Sequence, residues 1–179
     1  DGVTQLHGMI HYPSTFDPSK KYPVILSNYG GPATNAFRET FTLPDALTEY
    51  GFIVLNIDGR NVGGRGKRLL DQLYGNLGIV EMDDFAAGVK SLYNRAYIAK
   101  TRVGVYGTSY GGTTAATLLL RYPDVFQVAV ANSAVTDWRN YDNIYTERFM
   151  NLLENNLKGY EASSLMPMAK NLKGELLVF

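Results

Sequence analysis

The residue most able to do chemistry in this chain is Ser109, which lies in the sequence Gly107-Thr-Ser-Tyr-Gly111. This sequence matches Gly-x-Ser-x-Gly, in which a serine hydroxyl at a sharp turn acts as the nucleophile of acyl transfer. The pattern requires a strand before the serine and a helix after it. Residues 103–106 form a short β-branched run, and residues 112–121 are rich in Ala and Leu, so both elements are predicted.

The two flanking glycines have a steric explanation. A serine held at the tip of a tight turn leaves little room on either side, and only glycine lets the backbone pass so closely. The alternative is a glycine-rich corner between a strand and a helix, with a passive serine. The motif alone does not choose between these interpretations.

The surrounding elements alternate between strands and helices. Strands are predicted at 6–12, 24–28, 52–57, 103–106, 125–131 and 175–179, and helices at 43–50, 67–74, 80–97, 112–121 and 141–153. Most of the strands are continuous apolar runs, which is typical of a parallel sheet covered on both faces. We therefore predict an α/β fold with a mostly parallel sheet.

The composition argues against several classes of function. Lys plus Arg equals Asp plus Glu at 17 each, so no net charge draws the chain to nucleic acid or to an anionic membrane. The sequence contains no cysteine, no long apolar run and no signal-peptide pattern. The glycines at 63–66 do not have the spacing of a phosphate-binding loop, and no dinucleotide-binding motif opens a helix.

Further motifs carry a resemblance to a known family. They are Phe16-Asp-Pro-Ser-Lys-Lys-Tyr-Pro23, Tyr29-Gly-Gly-Pro32, Asp58-Gly-Arg60, Gly107-Thr-Ser-Tyr-Gly-Gly112 and Trp138-Arg-Asn-Tyr-Asp-Asn-Ile-Tyr-Thr-Glu-Arg148. In this order and spacing, the chain resembles the catalytic domain of the prolyl oligopeptidase family of serine peptidases. The last motif resembles the dipeptidyl peptidase IV branch. The resemblance runs from about residue 3 to the end and implies the α/β-hydrolase fold.

The resemblance implies roles for three residues of the reaction. Ser109 would be the nucleophile that becomes acylated. The backbone N–H of Tyr110 and the phenol of Tyr29 would donate to the oxyanion, which suits a tetrahedral intermediate whose charge meets donors already in place. Without the resemblance, Tyr29 would be interpreted as a packed ring with a satisfied hydroxyl.

The resemblance also implies a pocket for the residue before the scissile bond. Its walls would be Val135, Trp138, Tyr141 and Tyr145. Aromatic walls fit the flat ring of proline. Tyr141 and Tyr145 are also spaced four residues apart, so core packing on one helix face is the alternative explanation.

The Asp58-Gly-Arg60 motif is predicted to be a structural turn whose arginine pairs locally. After Arg60 the chain departs from the family pattern, because Asn61-Val62 replaces a Gly-Ser pair. We expect this change to alter the geometry of the turn rather than the chemistry.

The base and the acid of a catalytic triad are not found in this sequence. The two histidines, His7 and His11, precede Ser109, whereas this fold places its histidine after the nucleophile. We therefore expect residues 1–179 to be a partial catalytic domain, truncated before its last strands, with the triad Asp and His and the family's β-propeller outside it. An exposed apolar edge would then favour self-association.

The predicted function is that of a serine peptidase releasing dipeptides from peptides with Pro or Ala at the second position. An acylaminoacyl peptidase, an esterase of the same fold, or a non-catalytic binding homologue are the alternatives. No metal or cofactor and no nucleic-acid partner is implied. The resemblance allows a homodimer of the full-length protein and favours an extracytoplasmic location.

Overall fold

The computed structural model describes residues 2–37 and 39–179, which contain one mixed sheet and a set of helices. The strands are β1 (His7–His11), β2 (Tyr22–Ser27), β3 (Ile53–Asp58), β4 (Ile98–Thr108), β5 (Val128–Asn132) and β6 (Glu175–Val178). The α-helices are α1 (Lys67–Leu70), α2 (Val80–Ser91), α3 (Tyr110–Arg121), α4 (Asn143–Met150) and α5 (Leu157–Ser163). Short 3-10 helices cover Ala46–Tyr50, Leu92–Asn94, Trp138–Asn140, Leu153–Asn155 and Met166–Asn171.

The sheet has the order β1-β3-β2-β4-β5-β6. Strand β1 runs antiparallel to β3, and every other neighbouring pair is parallel. The prediction of a mostly parallel α/β sheet is confirmed. The residues of β1 are exposed or partly buried, which fits its place, because an antiparallel edge strand is covered less completely than the central strands.

The core lies on one face of the sheet, where α3 packs against β4 and β5. Buried side chains on this face include Val24, Leu26, Val105 and Ala129. On the other face, the 3-10 helix Ala46–Tyr50 meets the sheet, where the Tyr106 hydroxyl donates to Asp45 over 2.9 Å. The central strands and α3 therefore form a rigid base for the turn between them.

Several predicted boundaries were wrong. The helix predicted over 80–97 ends at Ser91, because the chain turns through Leu92–Asn94 and joins the sheet from Ile98. Strand pairing there overrides local helix preference, and the Tyr97 carbonyl accepts from Tyr22 N at 2.8 Å. Helix α5 was not predicted.

One predicted helix end agrees with the structure in its physical cause. Gly51 closes the 3-10 helix Ala46–Tyr50 in the left-handed conformation at φ 85°, where glycine carries no steric penalty. Helix α4 is shorter than its predicted range of 141–153. It begins after Asp142, whose side chain accepts from Tyr145 N at 2.8 Å.

Candidate active site

Ser109 occupies the turn between β4 and α3. Its backbone angles, φ 60° and ψ −121°, are rarely adopted by a residue with a side chain. The turn is held on both sides, since Ser109 N donates to Asn132 O at 2.9 Å and Thr113 N donates to Ser109 O at 3.1 Å. The Ser109 side chain makes no helix-capping hydrogen bond. A serine at a helix start normally caps it, so this hydroxyl is left available for chemistry.

The glycines around Ser109 are required by contact distances. A Cβ on Gly107 would lie 2.5 Å from the carbonyl carbon and oxygen of Gly111. A Cβ on Gly111 would lie 3.0 Å from Asn28 O, at the end of β2, and one on Gly112 would lie 2.4 Å from Asn132 O. The turn therefore closes on itself and on two neighbouring loops, as the steric explanation of the motif predicts.

Tyr29 follows β2, and a side chain of α3 hydrogen-bonds its backbone. Its carbonyl accepts from Thr114 Oγ1 at 2.9 Å. Its ring lies over Gly31, where an added Cβ would come within 2.5 Å of Tyr29 Cε1. The side chain is 44% exposed, and its ring centroid is 5.9 Å from that of Tyr110. The phenol thus lies at the surface beside the first residue of α3.

Tyr110 is the first residue of α3, and its side chain is buried. Its N–H belongs to the first turn of α3, where N–H groups have no partner within the helix. Its hydroxyl donates to Glu81 Oε1 over 2.5 Å, and the same oxygen accepts from Gly78 N at 2.7 Å. Burial raises the pKa of the Tyr110 phenol well above its ordinary value, so the hydroxyl remains a donor.

The remaining aromatic residues form a cluster against Tyr110. Trp138 lies 5.6 Å from Tyr110 and is stacked with Tyr145 at 5.8 Å and 18° between the ring planes. Tyr141 meets both Trp138 and Tyr145 edge to face, at 5.8 and 5.6 Å. Burial raises the pKa of the Tyr145 phenol, and the nearby phenols of Tyr29 and Tyr141 raise it further. The structure therefore brings Tyr29 and the predicted pocket residues together.

The shared helix face proposed for Tyr141 and Tyr145 was wrong. Tyr141 precedes α4, which begins at Asn143, so the two rings do not face each other through helical spacing. They meet because the chain turns between the 3-10 helix Trp138–Asn140 and α4. Their edge-to-face contact is one that aromatic rings prefer.

Val135 is fixed to the helix that follows Ser109. The Thr113 hydroxyl accepts from Val135 N and donates to Val135 O, both at 2.9 Å. Val135 is half-buried and packs against the core. Its position relative to Ser109 is therefore set by one threonine in the first turn of α3.

Asp137 holds the turn that carries Trp138. It accepts from the Arg139 backbone N–H at 3.0 Å, from Arg139 Nε at 2.8 Å and from Ser164 Oγ at 2.9 Å. These hydrogen bonds, first of all those from the Arg139 side chain, lower the pKa of Asp137 to about 2. The carboxylate is charged at neutral pH and fixes the buried Trp138 against the core.

Comparison with known proteins shows which family the chain belongs to. The model of the prolyl oligopeptidase family matches residues 39–179. The chain belongs to the prolyl oligopeptidase family. It is 38% identical over 173 residues to the Probable dipeptidyl-aminopeptidase B of Aspergillus terreus, covering 94% of this chain and 19% of that protein. The chain is also 39% identical over 157 residues to the Probable dipeptidyl-aminopeptidase B of Arthroderma gypseum. This match covers 86% of this chain and 17% of that relative.

A solved structure of a family member is similar over nearly the whole chain. The dipeptidyl peptidase 4 of Porphyromonas gingivalis superposes with a TM-score of 0.94 at 36% identity, covering 99% of this chain and 26% of that one. The chain thus spans about a fifth of the length of the curated relatives and about a quarter of this structure. The α/β-hydrolase fold expected from the resemblance is confirmed.

The two histidines lie far from Ser109. Both are on β1, which is separated from β4 by β3 and β2. Three strand spacings amount to about 14 Å, so neither imidazole can serve as the base of Ser109 in this arrangement. Within residues 2–37 and 39–179, no three His, Asp or Glu side chains converge to hold a metal ion. The helices of this part of the chain are too short or too polar to traverse a membrane.

The sequence analysis missed some residues that build the site, because these residues act by holding the site residues in place. Glu81, Thr113 and Thr114 each hydrogen-bond a residue of the site, and Asp137 holds the turn that carries Trp138 through Arg139 and Ser164. The Arg60 side chain was expected to pair locally, but it forms a buried ion pair with Asp84, 24 residues away. Sequence spacing gave no signal for these partners, since each pair is formed only when separate elements pack.

Proposed function

We propose that this chain is the nucleophile-bearing part of a serine peptidase catalytic domain. The observation that carries the proposal is the Ser109 turn, with its left-handed backbone and a side chain that caps nothing. Strain of this kind persists only where the surroundings enforce it, and here Gly107, Gly111 and Asn132 do so. In the reaction, Ser109 Oγ bonds to the substrate carbonyl carbon while its proton passes to a base. The amine leaves with a proton, and water then hydrolyses the acyl-enzyme.

We propose two donors for the oxyanion of this reaction. The Tyr110 N–H is free of helical hydrogen bonding, and the positive end of the α3 dipole adds to its effect. Tyr29 offers a partly exposed phenol next to Tyr110. Its hydroxyl donates to no acceptor among residues 2–37 and 39–179. It is therefore free to donate to a substrate oxygen that gains negative charge.

The base and its orienting acid are proposed to lie outside the 179 residues. Ser109 needs a general base, and the positions of His7 and His11 on β1 do not supply one. The chain matches only a small share of the length of its relatives, and this fits the proposal, since most of their length has no counterpart in the 179 residues. Residues 1–179 would then be a partial catalytic domain whose triad is completed elsewhere in the full-length protein.

The aromatic cluster supports a preference for proline before the scissile bond. Tyr141 and Tyr145 present exposed or partly exposed rings that are backed by the buried Trp138 and Tyr110, and a pyrrolidine ring packs well against such aromatic rings. The names of the relatives describe dipeptide release, and we propose the same for the full-length protein, with alanine accepted less well. A homodimer of that protein stays a prediction from the resemblance.

The nucleophile is tested in the full-length protein with a fluorophosphonate probe and peptide mapping. We expect one adduct on Ser109, lost in Ser109→Ala and kept in Ser133→Ala. Ser133 is a suitable control because it also has a positive φ, 49°, and lies in the loop after β5. Absence of labelling in the wild-type protein would overturn the proposal and favour a non-catalytic homologue.

The substrate class is tested by the pocket variant Tyr145→Ala. The proposal expects a fall in kcat/KM of about tenfold or more on Xaa-Pro substrates, since a buried aromatic wall is lost, and a smaller effect on a simple ester. Equal losses on both substrates would favour an esterase. Preference for N-acylated substrates would favour an acylaminoacyl peptidase.

A further inference from the structure

The loop that follows Tyr29 is held by two side chains, one from the last residue of β3 and one from the turn after it. Asp58 Oδ1 accepts from Ala36 N at 2.6 Å and from Phe37 N at 3.2 Å. Asn61 Nδ2 donates to Gly31 O at 3.2 Å and to Thr34 O at 3.3 Å. Asp58 therefore holds the far end of the loop, whereas Asn61 holds the end next to Tyr29.

Gly31 connects the Asn61 contact to the phenol of Tyr29. The Tyr29 ring lies directly over Gly31, with only 2.5 Å between Cε1 and the place where a Cβ would stand. A shift of Gly31 must therefore shift the ring. The exposed side of the ring has no such support, because 44% of the side chain faces solvent. The direction of the phenol thus depends on where the Gly31 peptide is held.

Asn61 is only 2% exposed, and burying its side-chain amide costs free energy. Its Oδ1 is buried without a hydrogen-bond partner among the described residues. An unsatisfied buried oxygen costs about 1–3 kcal/mol, so fold stability alone gives a weak reason for an amide at this position. The backbone of Asn61 is not left-handed, and its own carbonyl accepts from Ala33 N at 2.7 Å. The residue is therefore bonded to the loop through both backbone and side chain.

We propose that Asn61 is a positioning residue for the oxyanion donor Tyr29. It acts through the Gly31 carbonyl, which fixes the peptide on which the Tyr29 ring rests. The inference rests on the proposed function, since Tyr29 matters only if Ser109 forms a tetrahedral intermediate. It also gives the Asn61-Val62 departure from the family pattern a role in the site, where the sequence indicated only a change in the turn.

The test uses Asn61→Ala and Asn61→Asp in the full-length protein. Alanine removes both donors, and aspartate places a carboxylate against two carbonyl oxygens. We expect kcat on an Xaa-Pro substrate to fall about 10- to 100-fold with KM within about twofold, because a donor displaced by a fraction of an ångström stabilises the transition state less. The loss should be larger for aspartate than for alanine.

Asn35→Ala is the matched control. Asn35 also joins the two loops, donating to Gly63 O at 3.3 Å and accepting from Gly63 N at 3.1 Å, but these side-chain hydrogen bonds do not involve the Gly31 or Thr34 carbonyl. Its kcat should stay within about twofold of the wild type. An equal fall in both variants would overturn the proposal and assign Asn61 a general role in loop packing.

A double-mutant cycle with Tyr29→Phe separates positioning from folding. If Asn61 acts through the Tyr29 hydroxyl, Asn61→Ala should lower kcat in the wild type and add little in the Tyr29→Phe background. Additive losses, or an unchanged kcat in Asn61→Ala alone, would overturn the proposal. Titration of labelled Ser109 gives the fraction of intact sites, and a fall in that fraction equal to the fall in kcat would also overturn it.

Hydrogen exchange of the segment 29–37 gives a readout that does not depend on activity. We expect faster exchange in Asn61→Ala than in the wild type. Unchanged exchange would contradict the view that the Asn61 side chain holds this loop through Gly31 and Thr34. A wild-type protein that neither labels nor turns over any substrate would overturn the proposed function itself. An active wild type with an unaffected Asn61→Ala variant would overturn this inference alone.

Discussion

The phenol of Tyr110 donates to Glu81 Oε1 over 2.5 Å in the interior of the protein. Glu81 is fully buried, and its second oxygen, Oε2, has no hydrogen-bond partner among the described residues. Burial, which is the largest effect, raises the pKa of this carboxyl. The residue next to the nucleophile is thus fixed from behind by a carboxyl that burial favours in the protonated form.

Replacing Glu81 with glutamine should preserve this contact while removing the charge. A carboxyl whose pKa is raised in the folded state stabilises the fold less as pH rises from its ordinary value of 4.5 through the folded pKa. The melting temperature of Glu81→Gln, relative to wild type, should therefore increase between pH 5 and pH 8. A difference that is constant with pH would contradict the raised pKa.

Glu81→Ala is the companion variant. It leaves the Tyr110 hydroxyl and the Gly78 N–H without their acceptor, which costs about 1–3 kcal/mol for a buried group. We expect a lower melting temperature at every pH, together with weaker binding of Xaa-Pro substrates because the Tyr110 ring loses its anchor. A variant as stable as Glu81→Gln would show that the hydrogen bonds contribute little.

Gly107 should tolerate no side chain, whereas Gly104 in the same strand should. A Cβ on Gly107 would lie 2.5 Å from the backbone of Gly111, but one on Gly104 would meet its nearest atom at 3.6 Å. Gly107→Ala should destabilise the protein by at least about 3 kcal/mol and abolish labelling of Ser109. Gly104→Ala should label normally and melt within a few degrees of the wild type. Normal labelling of Gly107→Ala would contradict the closed turn.

Removal of the Tyr29 hydroxyl should affect the chemical step more than binding. Tyr29→Phe keeps the ring on Gly31 and removes only the donor, so kcat should fall about 10²- to 10³-fold with little change in KM. Tyr50→Phe is the control, because Tyr50 is exposed at the end of the 3-10 helix Ala46–Tyr50, on the face of the sheet opposite α3. The measurement is steady-state kinetics of both variants on an Xaa-Pro substrate. A fall in kcat of less than threefold in Tyr29→Phe would contradict the role of the phenol.

The elements around Ser109 could be predicted from the sequence because their signals are local. A β-branched run, two glycines and a helix-forming segment follow one another within 20 residues, and each has a steric or conformational cause. The pocket residues came from the resemblance instead. The supports of the site, such as Asn61 on Gly31 and Glu81 on Tyr110, join residues about 30 positions apart. Their pairing is decided by how β3 and α2 pack, and no spacing in the chain encodes it.

Acid should weaken the turn that carries Trp138 as Asp137 becomes protonated. The pKa of Asp137 is lowered to about 2 by its hydrogen bonds, so the carboxylate stabilises the folded state at neutral pH. That contribution is complete above the ordinary value of 3.8 and is lost as pH falls toward 2. It amounts to at most about 2 kcal/mol, and to less in salt because Arg139 is exposed. The melting temperatures of wild type and Asp137→Asn should therefore differ at pH 6 and converge as the pH falls to about 2.

Asp124→Asn provides the comparison for this acid effect, because Asp124 forms an exposed ion pair with Lys90 at 3.2 Å. Such a pair contributes little, so this variant should melt like the wild type at both pH values. Trp138 fluorescence follows the same transition locally, since the indole is the only one in the chain. In Asp137→Asn, the emission at pH 6 should already resemble that of the acid-treated wild type. An indole that stays in its native environment in the variant would show that the stacked ring of Tyr145 holds Trp138 without the carboxylate.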